Sequence, residues 1–237
     1  MTEKPIRLWP VLLTTAVAFA LLCCLGVWQV KRLAWKEGLI AAIERNMAAA
    51  PQPFSVTQLT DGSAATLEEY RKLRLTGRYA DQSLRMIATL NGAAGWRLLS
   101  LFETEDGARF LVDRGVAAEG QTPAPPAGVV SLAGLVRHHA MGQGMFDPPN
   151  NVSGNQWYWW DWPAMLAALP QNAMPTATFV LELLPGEPGT EALFVPPPKA
   201  NLANNHLGYA ITWFGFAAAL LLISGLFIRA QMRKTVA

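Results

Sequence analysis

The chain has 237 residues, of which 51% are hydrophobic and 15% are charged, and its formal net charge at neutral pH is +2. Residues 31–203 hold fourteen basic and sixteen acidic residues, a balance that provides no basic patch for nucleic acid. The only two cysteines, Cys23 and Cys24, are adjacent in an apolar run, which excludes a disulfide framework and a Cys-x-x-Cys site from the rest of the chain.

The first apolar run, residues 8–27, is long enough to cross a membrane. A cleaved signal peptide is the alternative, but the run exceeds the ~7–15 residues of a signal-peptide core and no small-x-small cleavage site follows it. Residues 28–32 instead supply an aromatic and basic anchor for the membrane interface. We therefore predict a transmembrane helix over residues 8–30. Because helical spacing and alanines continue until Pro51, this helix is expected to extend to about residue 50.

A second apolar run, residues 207–228, contains 22 residues without a charge. At ~1.5 Å per residue it spans the ~30 Å hydrocarbon core of a bilayer. Three basic residues close the run: Arg229, Arg233 and Lys234. We predict a second transmembrane helix over residues 205–229, so the chain is expected to be a two-span membrane protein with an extramembrane domain between the spans.

Two spans place both termini on one side of the membrane, and the positive-inside rule selects that side. Three basic residues follow the second span, whereas only Lys199 shortly precedes it. The first span is ambiguous, because basic residues lie on both sides of it: Lys4, Arg7, Lys31, Arg32 and Lys36. We predict that both termini are cytoplasmic and that the central domain is outside. In a bacterium this is the periplasmic side of the inner (plasma) membrane.

Residues 51–200 predict a mainly antiparallel β (α+β) domain with one or two short helices. Alternating apolar residues indicate strands at 72–76 (stopped by Gly77), 84–90, 96–103, 109–116, 129–137, 155–160 and 178–184. Asn91-Gly92 and Asp106-Gly107 suit hairpin turns. Asp161 is the predicted N-cap of a short helix over 164–169. The proline-rich residues 185–198 then lead back to the membrane.

Five sequence blocks, in order along the chain, match one family. They are residues 26–36 (G-x-W-Q-x-x-R-x-x-W-K), 111–115 (V-N-R-G), 134–137 (G-x-x-R), 150–161 (P-x-N … W-Y-x-x-D) and 204–214 (N-N-H-L-x-Y-A-x-T-W-F). The chain thus resembles the Surfeit-locus family of cytochrome c oxidase assembly factors along essentially its whole length. It departs from the family after Arg114-Gly115, where W-V-P is replaced by Val116-Ala117-Ala118. If the family's tryptophan packs against a partner, that contact is altered here.

His206 is the main candidate site residue, because it lies at the mouth of the second span. One interpretation is an interfacial histidine that caps the helix or meets lipid headgroups. The other is an axial ligand of haem iron, since a neutral imidazole binds iron and haem needs an apolar slot with stacking walls. Tyr209, Ala210 and Trp213 follow at i+3, i+4 and i+7 and are expected on the same face. Three small residues would let the first helix approach closely: Gly208, Gly215 and Ala219.

The resemblance implies that His206 binds haem a transiently, because bacterial relatives are thought to bind it through a histidine at this place. Tyr209 and Trp213 would form walls, Trp28 and Arg32 would close the mouth, and Arg32 would meet the propionates. The implied function is to assist insertion of haem a into the oxidase catalytic subunit, with that subunit and the haem a synthase as partners. The alternative is a membrane-tethered scaffold that binds oxidase subunits and holds no haem. No nucleophile elbow, phosphate loop or paired-histidine zinc motif indicates an enzyme.

Two polar features of the central domain have simple interpretations. Residues 138–145 contain two histidines and two methionines, a ligand set that suits Cu(I), which an oxidase also needs. We interpret them as a flexible, glycine-rich loop with solvated histidines. Asp113, beside Arg114, is interpreted as half of an ion pair at a strand edge rather than as a catalytic acid.

The aromatic run at residues 157–162 is the densest in the chain. On a strand, Trp157 and Trp159 would face one way, while Tyr158 and Trp160 would face the other. One pair would therefore belong to the core of the domain. The other pair is a candidate patch for binding a partner protein.

Overall fold

A computed structural model describes residues 8–60, 67–169, 177, 179–198 and 202–236. Lys4, Arg7, Thr178 and Lys199 lie outside the described residues, as does the side chain of Lys234. The chain forms two compact units, one of residues 1–42 with 201–237 and one of residues 43–200. The elements are α1 (Leu8–Ala48), β1 (Gln52–Pro53), α2 (Thr57–Thr60), β2 (Lys72–Leu90), β3 (Ala93–Thr104), β4 (Arg109–Ala118), β5 (Val130–Arg137), α3 (Trp162–Ala167), β6 (Val180–Leu183) and α4 (His206–Val236).

The helices α1 and α4 are both long and apolar enough to cross a membrane. They flank a β-sheet unit in the sequence, which confirms the predicted architecture. Pro10 is tolerated because it lies in the first turn of α1, where a backbone N–H has no partner within the helix. The helix then continues without a break for 41 residues and ends at Ala48, just before Pro51.

Helices α1 and α4 run antiparallel and share one narrow seam. Gln29 of α1 contacts His206 of α4 at one level, and Thr15 Oγ1 lies 3.0 Å from Ser224 Oγ at another. Residue numbers therefore rise along one helix as they fall along the other. Small residues are buried between these two contacts: Gly26, Ala210 and Ala217.

The two helices approach each other closely at Gly26. The prediction that placed this approach at Gly208, Gly215 and Ala219 of α4 is wrong. A Cβ at Gly26 would lie 2.7 Å from the Phe214 ring, whereas one at Gly208 or Gly215 would meet no described atom within 4 Å. Ala219 is also exposed. The reason is helical geometry, because the seam follows His206 at +4, +7 and +11, which leaves these three small residues on the opposite side.

The β strands form a sheet that closes on itself. The order β2-β3-β4-β6-β5 returns to β2, because residues 72–77 of β2 pair with β5 and residues 77–90 pair with β3. Among the described strands, four pairings are antiparallel, while β1–β2 and β4–β6 are parallel. The sheet is therefore mixed but mainly antiparallel, as predicted.

Two hydrophobic clusters lie on the two faces of this sheet. One takes side chains from all five strands of the closed sheet and fills its interior, with Phe102, Phe110 and Phe179 as its largest members. The other covers the opposite face of β2, β3, β4 and β6 with Trp157 and the helix α3. Phe110 and Val112 of β4 point into the first cluster and Leu111 points into the second, so this part of the strand is covered on both faces.

Three local predictions need correction. Gly77 does not end a strand, because β2 continues through it. A Cβ there would lie 2.1 Å from the Glu103 carbonyl oxygen, so this glycine permits close approach of β3. Residues 155–160 are not a strand, since Asn155 has a φ of 51° and Trp157 forms only an isolated bridge to Met86. Residues 51–60 hold β1 and α2, which are absent from the predicted strands and helix.

The predicted turns and helix cap are confirmed. Asn91 and Gly92 both have positive φ, 51° and 84°, as a tight hairpin turn between β2 and β3 requires. Gly107 also has a φ of 84° between β3 and β4. Asp161 Oδ1 accepts a hydrogen bond from the Ala164 N–H at 3.2 Å, although the helix it caps starts two residues earlier than predicted.

Asp113 and Arg114 do not pair with each other, so that prediction is wrong. Consecutive residues of a strand project to opposite faces. Asp113 pairs with Arg97 on one face. On the other face Arg114 is only 1% exposed and donates to three carbonyl oxygens at 2.7, 3.0 and 3.1 Å, those of Gly189, Pro123 and Ala124.

Val116, where the resembled family has tryptophan, is buried within the domain. Its backbone exchanges two hydrogen bonds with Phe194, at 2.9 and 2.8 Å. Gly115 has a φ of 118°, and a Cβ there would lie 2.8 Å from the Val195 side chain. The chain leaving β6 therefore covers this strand end, and the altered residue makes an internal contact.

We predict that the seam can be locked by a disulfide bond. With Cys23 and Cys24 replaced by Ala, Thr15→Cys combined with Ser224→Cys should cross-link rapidly on oxidation, because the two Oγ atoms lie 3.0 Å apart. Gel mobility after oxidation measures the product. The control pair combines Thr15→Cys with Ile223→Cys, since Ile223 is 66% exposed. Equal cross-linking of both pairs would contradict the seam.

We also predict that Arg114 stabilises the β domain. Arg114→Leu leaves three carbonyl oxygens without their donor, so the free energy of unfolding should fall by about 3–5 kcal/mol. Thermal unfolding of the full chain in detergent, followed by tryptophan fluorescence, measures this. Arg78→Leu is the matched control, because Arg78 is exposed on β2. Equal losses from both substitutions would argue against the role of the buried guanidinium.

Candidate functional site

His206 is the first residue of α4, and its imidazole is half-buried. The ring nitrogen Nδ1 lies 2.7 Å from Oε1 of Gln29 on α1. Gln29 is itself 8% exposed, although the residues around it are apolar or aromatic. This bond joins the start of α4 to the end of the apolar part of α1.

Ala210 and Trp213 continue the seam one and two turns beyond His206. Ala210 is 3% exposed and Trp213 is half-buried. Both positions follow from the sequence spacing, since i+4 and i+7 lie within about 40° of His206 around the helix.

Tyr209 lies beside the seam rather than in it, so the predicted shared face is wrong for this residue. At i+3 it is turned about 60° from His206 around the helix, and it is 56% exposed. Trp28 is 55% exposed on α1, next to Gln29. Arg32 is also exposed, and its guanidinium lies 3.9 Å from the ring centroid of Trp35.

These outward side chains share one side of the helix pair. Each residue of a right-handed helix is turned about 100° from the one before it. Measured from Gln29 on α1 and from His206 on the antiparallel α4, this rotation places four residues on the same side of the seam: Trp28, Arg32, Trp35 and Tyr209. We call these four residues the aromatic rim. The opposite side is closed, because Phe214 packs over Gly26 there.

The residues fit a haem group at the rim but not inside the seam. The contact of Phe214 with Gly26 and the burial of Ala210 leave no slot for a flat macrocycle between the helices. The rim offers exposed aromatic faces and a cation for a propionate. His206 lies at the end of the seam beside the rim, with Nδ1 already bonded to Gln29, so Nε2 is its other ring nitrogen.

The two histidines of the central domain both make contacts within the protein. His138 Nε2 lies 2.9 Å from the Leu67 carbonyl oxygen. The His139 ring stacks on Trp160, with 3.9 Å between centroids and 10° between planes. Burial lowers the pKa of His139 to about 4, and the charge of Arg137 adds to this effect. Within the described ranges, no group of three or more His, Cys, Asp or Glu side chains is placed to hold a metal ion.

Only one member of the aromatic run is fully buried. Trp157 is 0% exposed in the cluster that covers the sheet, whereas Trp159 and Trp160 are half-buried. The predicted alternation of two faces is therefore wrong, because these residues do not form a strand. A surface patch at this place would consist of half-buried side chains, among which Trp160 and Trp162 have ring centroids 6.1 Å apart.

Sequence reasoning missed a well-defined turn at residues 144–147. Asp147 N–H donates to the Gly144 carbonyl at 3.1 Å, and the Asp147 carboxylate accepts from the Gly144 N–H at 2.8 Å. The two corner residues, Met145 and Phe146, are 91% and 93% exposed. The sequence signal that pointed to this site is the pair of large apolar residues at the turn corner. Such a pair is unusual, because polar residues and glycine dominate turns.

A buried charge network was also missed, because its members are far apart in sequence. Arg137 donates to Glu182 at 2.7 Å and to Glu69 at 2.8 Å. Arg97 pairs with Asp113, which is 2% exposed. Burial raises the pKa of Asp113, and the adjacent guanidinium of Arg97 opposes this shift. Arg97 also lies 3.8 Å from Glu182, so the network ties four strands together.

The sequence model of the SURF1 family matches residues 16–218, which include every residue of the seam and rim named above from Gly26 to Ala217. The chain belongs to the SURF1 family. It is 27% identical over 236 residues to Surfeit locus protein 1 of Takifugu rubripes, covering 89% of this chain and 92% of that protein. It is 28% identical to Surfeit locus protein 1 of Homo sapiens, covering 89% and 74%.

The similarity also reaches bacterial members of the SURF1 family. The SURF1-like protein of Rickettsia bellii is 25% identical over 234 residues, covering 92% of this chain and 90% of the relative. The compared region therefore includes the β unit and at least part of each apolar helix. The relatives show the family of this chain, and the role of each rim and seam residue rests on the geometry.

We predict that His139 makes the folded state less stable in acid. Its folded-state pKa of about 4 lies below the ~6.5 of an unfolded histidine, so the unfolded chain takes up a proton first as the pH falls. The free energy of unfolding therefore keeps its full value above pH ~6.5. It falls as the pH approaches ~4, by about 2 kcal/mol after discounting for partial exposure.

The matched variant is His139→Phe, which keeps the ring on Trp160 but cannot be protonated. Thermal unfolding of the full chain in detergent is recorded for both proteins between pH 7 and pH 4. The difference in melting temperature should change in favour of the variant as the pH falls. Parallel curves would show that His139 is as readily protonated in the folded state as in the unfolded chain.

Proposed function

We propose that this chain is an assembly factor for cytochrome c oxidase that carries haem a transiently and assists its insertion into the catalytic subunit. The observation that carries the proposal is His206 at the end of an apolar helix pair, with Nδ1 bonded to Gln29 and the exposed aromatic rim on one side of the same seam. Membership of the SURF1 family supports it, because the sequence resembles the oxidase assembly factors of that family.

In this proposal the cargo supplies an iron centre that accepts one imidazole nitrogen. The Nε2 lone pair of His206 would be the donor. Trp28 and Tyr209 would stack against the macrocycle, with Trp213 beneath it at the seam. Arg32 would meet the propionates as a charge-assisted donor, since its guanidinium lies in the rim.

A single protein ligand and an open rim suit the release of haem a better than its permanent binding. A resident haem is usually enclosed on both faces, which excludes water and holds the iron at a fixed potential. The rim is exposed on one side, so a receiving protein could approach without separation of the helices. We propose the oxidase catalytic subunit as the receiver and the haem a synthase as the source. The chain itself would carry out no catalytic step.

We further propose that the protein lies in the bacterial inner membrane with both termini in the cytoplasm and the central domain in the periplasm. Among the described residues, Arg229 and Arg233 support this orientation, because both follow the apolar part of α4. The rim would then lie at the outer leaflet, where aromatic residues and arginine are favoured.

We predict that His206→Ala removes haem a from the protein. The full chain is produced together with the enzymes of haem a synthesis, purified in detergent and examined by absorption spectroscopy. Wild-type protein should carry haem a, and the variant should lose most of it with its axial ligand. His138→Ala is the control, because that histidine is exposed in the other unit. Unchanged haem content and spectrum in His206→Ala would reject the ligand role.

A scaffold that binds oxidase subunits without haem is the alternative. The rigid turn with Met145 and Phe146 favours it, since two exposed apolar side chains on a fixed turn are suited to a protein contact. In that case wild-type protein is colourless at every haem supply. Replacement of both residues by Ser then abolishes co-purification of the catalytic subunit, whereas His206→Ala leaves it intact.

A further inference from the structure

We infer that Gln29 is a positioning residue that holds the His206 imidazole in the tautomer protonated at Nδ1. The consequence for haem rests on the proposed function, whereas the tautomer itself is a property of the protein alone. The inference concerns a residue 177 positions away in the sequence, which acts through His206.

The geometry of the contact determines the tautomer. Oε1 of an amide is an acceptor only, so at 2.7 Å from Nδ1 it requires a proton on that nitrogen. A neutral imidazole carries one N–H, which leaves Nε2 with its lone pair. That is the nitrogen form a metal needs, and hydrogen bonding of the other nitrogen is the usual way in which proteins select it.

The burial of Gln29 argues that this bond is maintained. The side chain is 8% exposed, and its amide oxygen lies 2.7 Å from Nδ1 of His206. An unbonded buried amide costs about 1–3 kcal/mol. Because the oxygen is satisfied by His206, rotation of the ring away from Gln29 would incur that cost. The contact therefore restrains both the tautomer and the ring orientation.

A purely structural role would make a different prediction. Thr15 and Ser224 form a second hydrogen bond across the same seam, at 3.0 Å and far from any imidazole. If Gln29 only joins the helices, loss of either bond should have similar effects. If Gln29 positions His206, only its replacement should change the properties of the ring.

The first test uses the full chain in detergent without haem and with 15N-labelled histidine. The sequence has three histidines, so the His206 ring signals are assigned by their loss in His206→Ala. On the plateau where the imidazole is neutral, wild type should show Nδ1 protonated and Nε2 unprotonated. Gln29→Leu should shift His206 towards the Nε2-protonated form, whereas Ser224→Ala should not. A wild-type ring protonated at Nε2, or an unchanged ratio in Gln29→Leu, would overturn the inference.

The second test uses the same variants loaded with haem a. Gln29→Leu should weaken haem retention about 10–100-fold, as loss of a ligand's supporting hydrogen bond does. Gln29→Glu keeps an acceptor for Nδ1–H, so it should restore retention and lower the midpoint potential of the iron through its negative charge. Equal weakening by Gln29→Leu and Ser224→Ala would mean that Gln29 only joins the helices. If wild type binds no haem, the proposed function fails while the tautomer test still decides the role of Gln29.

Discussion

The helix pair depends on one constraint, which is that a polar side chain in hydrocarbon must find its hydrogen-bond partner within the protein. Thr14 and Thr212 bond back to carbonyls of their own helices, at 2.8 and 2.9 Å. Gln29 instead bonds across the seam to His206, and Thr15 to Ser224. Because these two cross-seam contacts lie near opposite ends of the apolar segments, they set the register of α1 against α4.

That register makes the two sides of the helix pair different. On one side the Phe214 ring covers Gly26 and closes the seam. On the other side Trp28, Arg32 and Tyr209 stand out from the surface at the level of His206. Under the proposed function this arrangement would suit a carrier, because His206 is held by Gln29 and could be approached from the one open side. It is less suited to a protein that keeps its haem.

The central unit shows how buried arginines can have an architectural role. Arg114 belongs to the Asp-Arg-Gly motif that the family resemblance highlights, yet its guanidinium contacts only protein carbonyls and the ring of Tyr79 among the described residues. Gly115 gives the segment around Val195 room to cover β4. The motif therefore stabilises the closed sheet.

The sequence by itself determined the features that depend on neighbouring residues. Chain length and apolar composition identified both long helices, local backbone preference identified the turn at Asn91-Gly92, and helical spacing placed Ala210 and Trp213 with His206. The family resemblance singled out His206, but sequence reasoning did not relate Gln29 to it. Only the tertiary structure decided features that require distant segments to meet, because the side chains across a seam or sheet depend on register. Those features are the partner of Asp113, the burial of Trp157, the role of Gly77, the outward position of Tyr209, and the bond that joins Gln29 to His206.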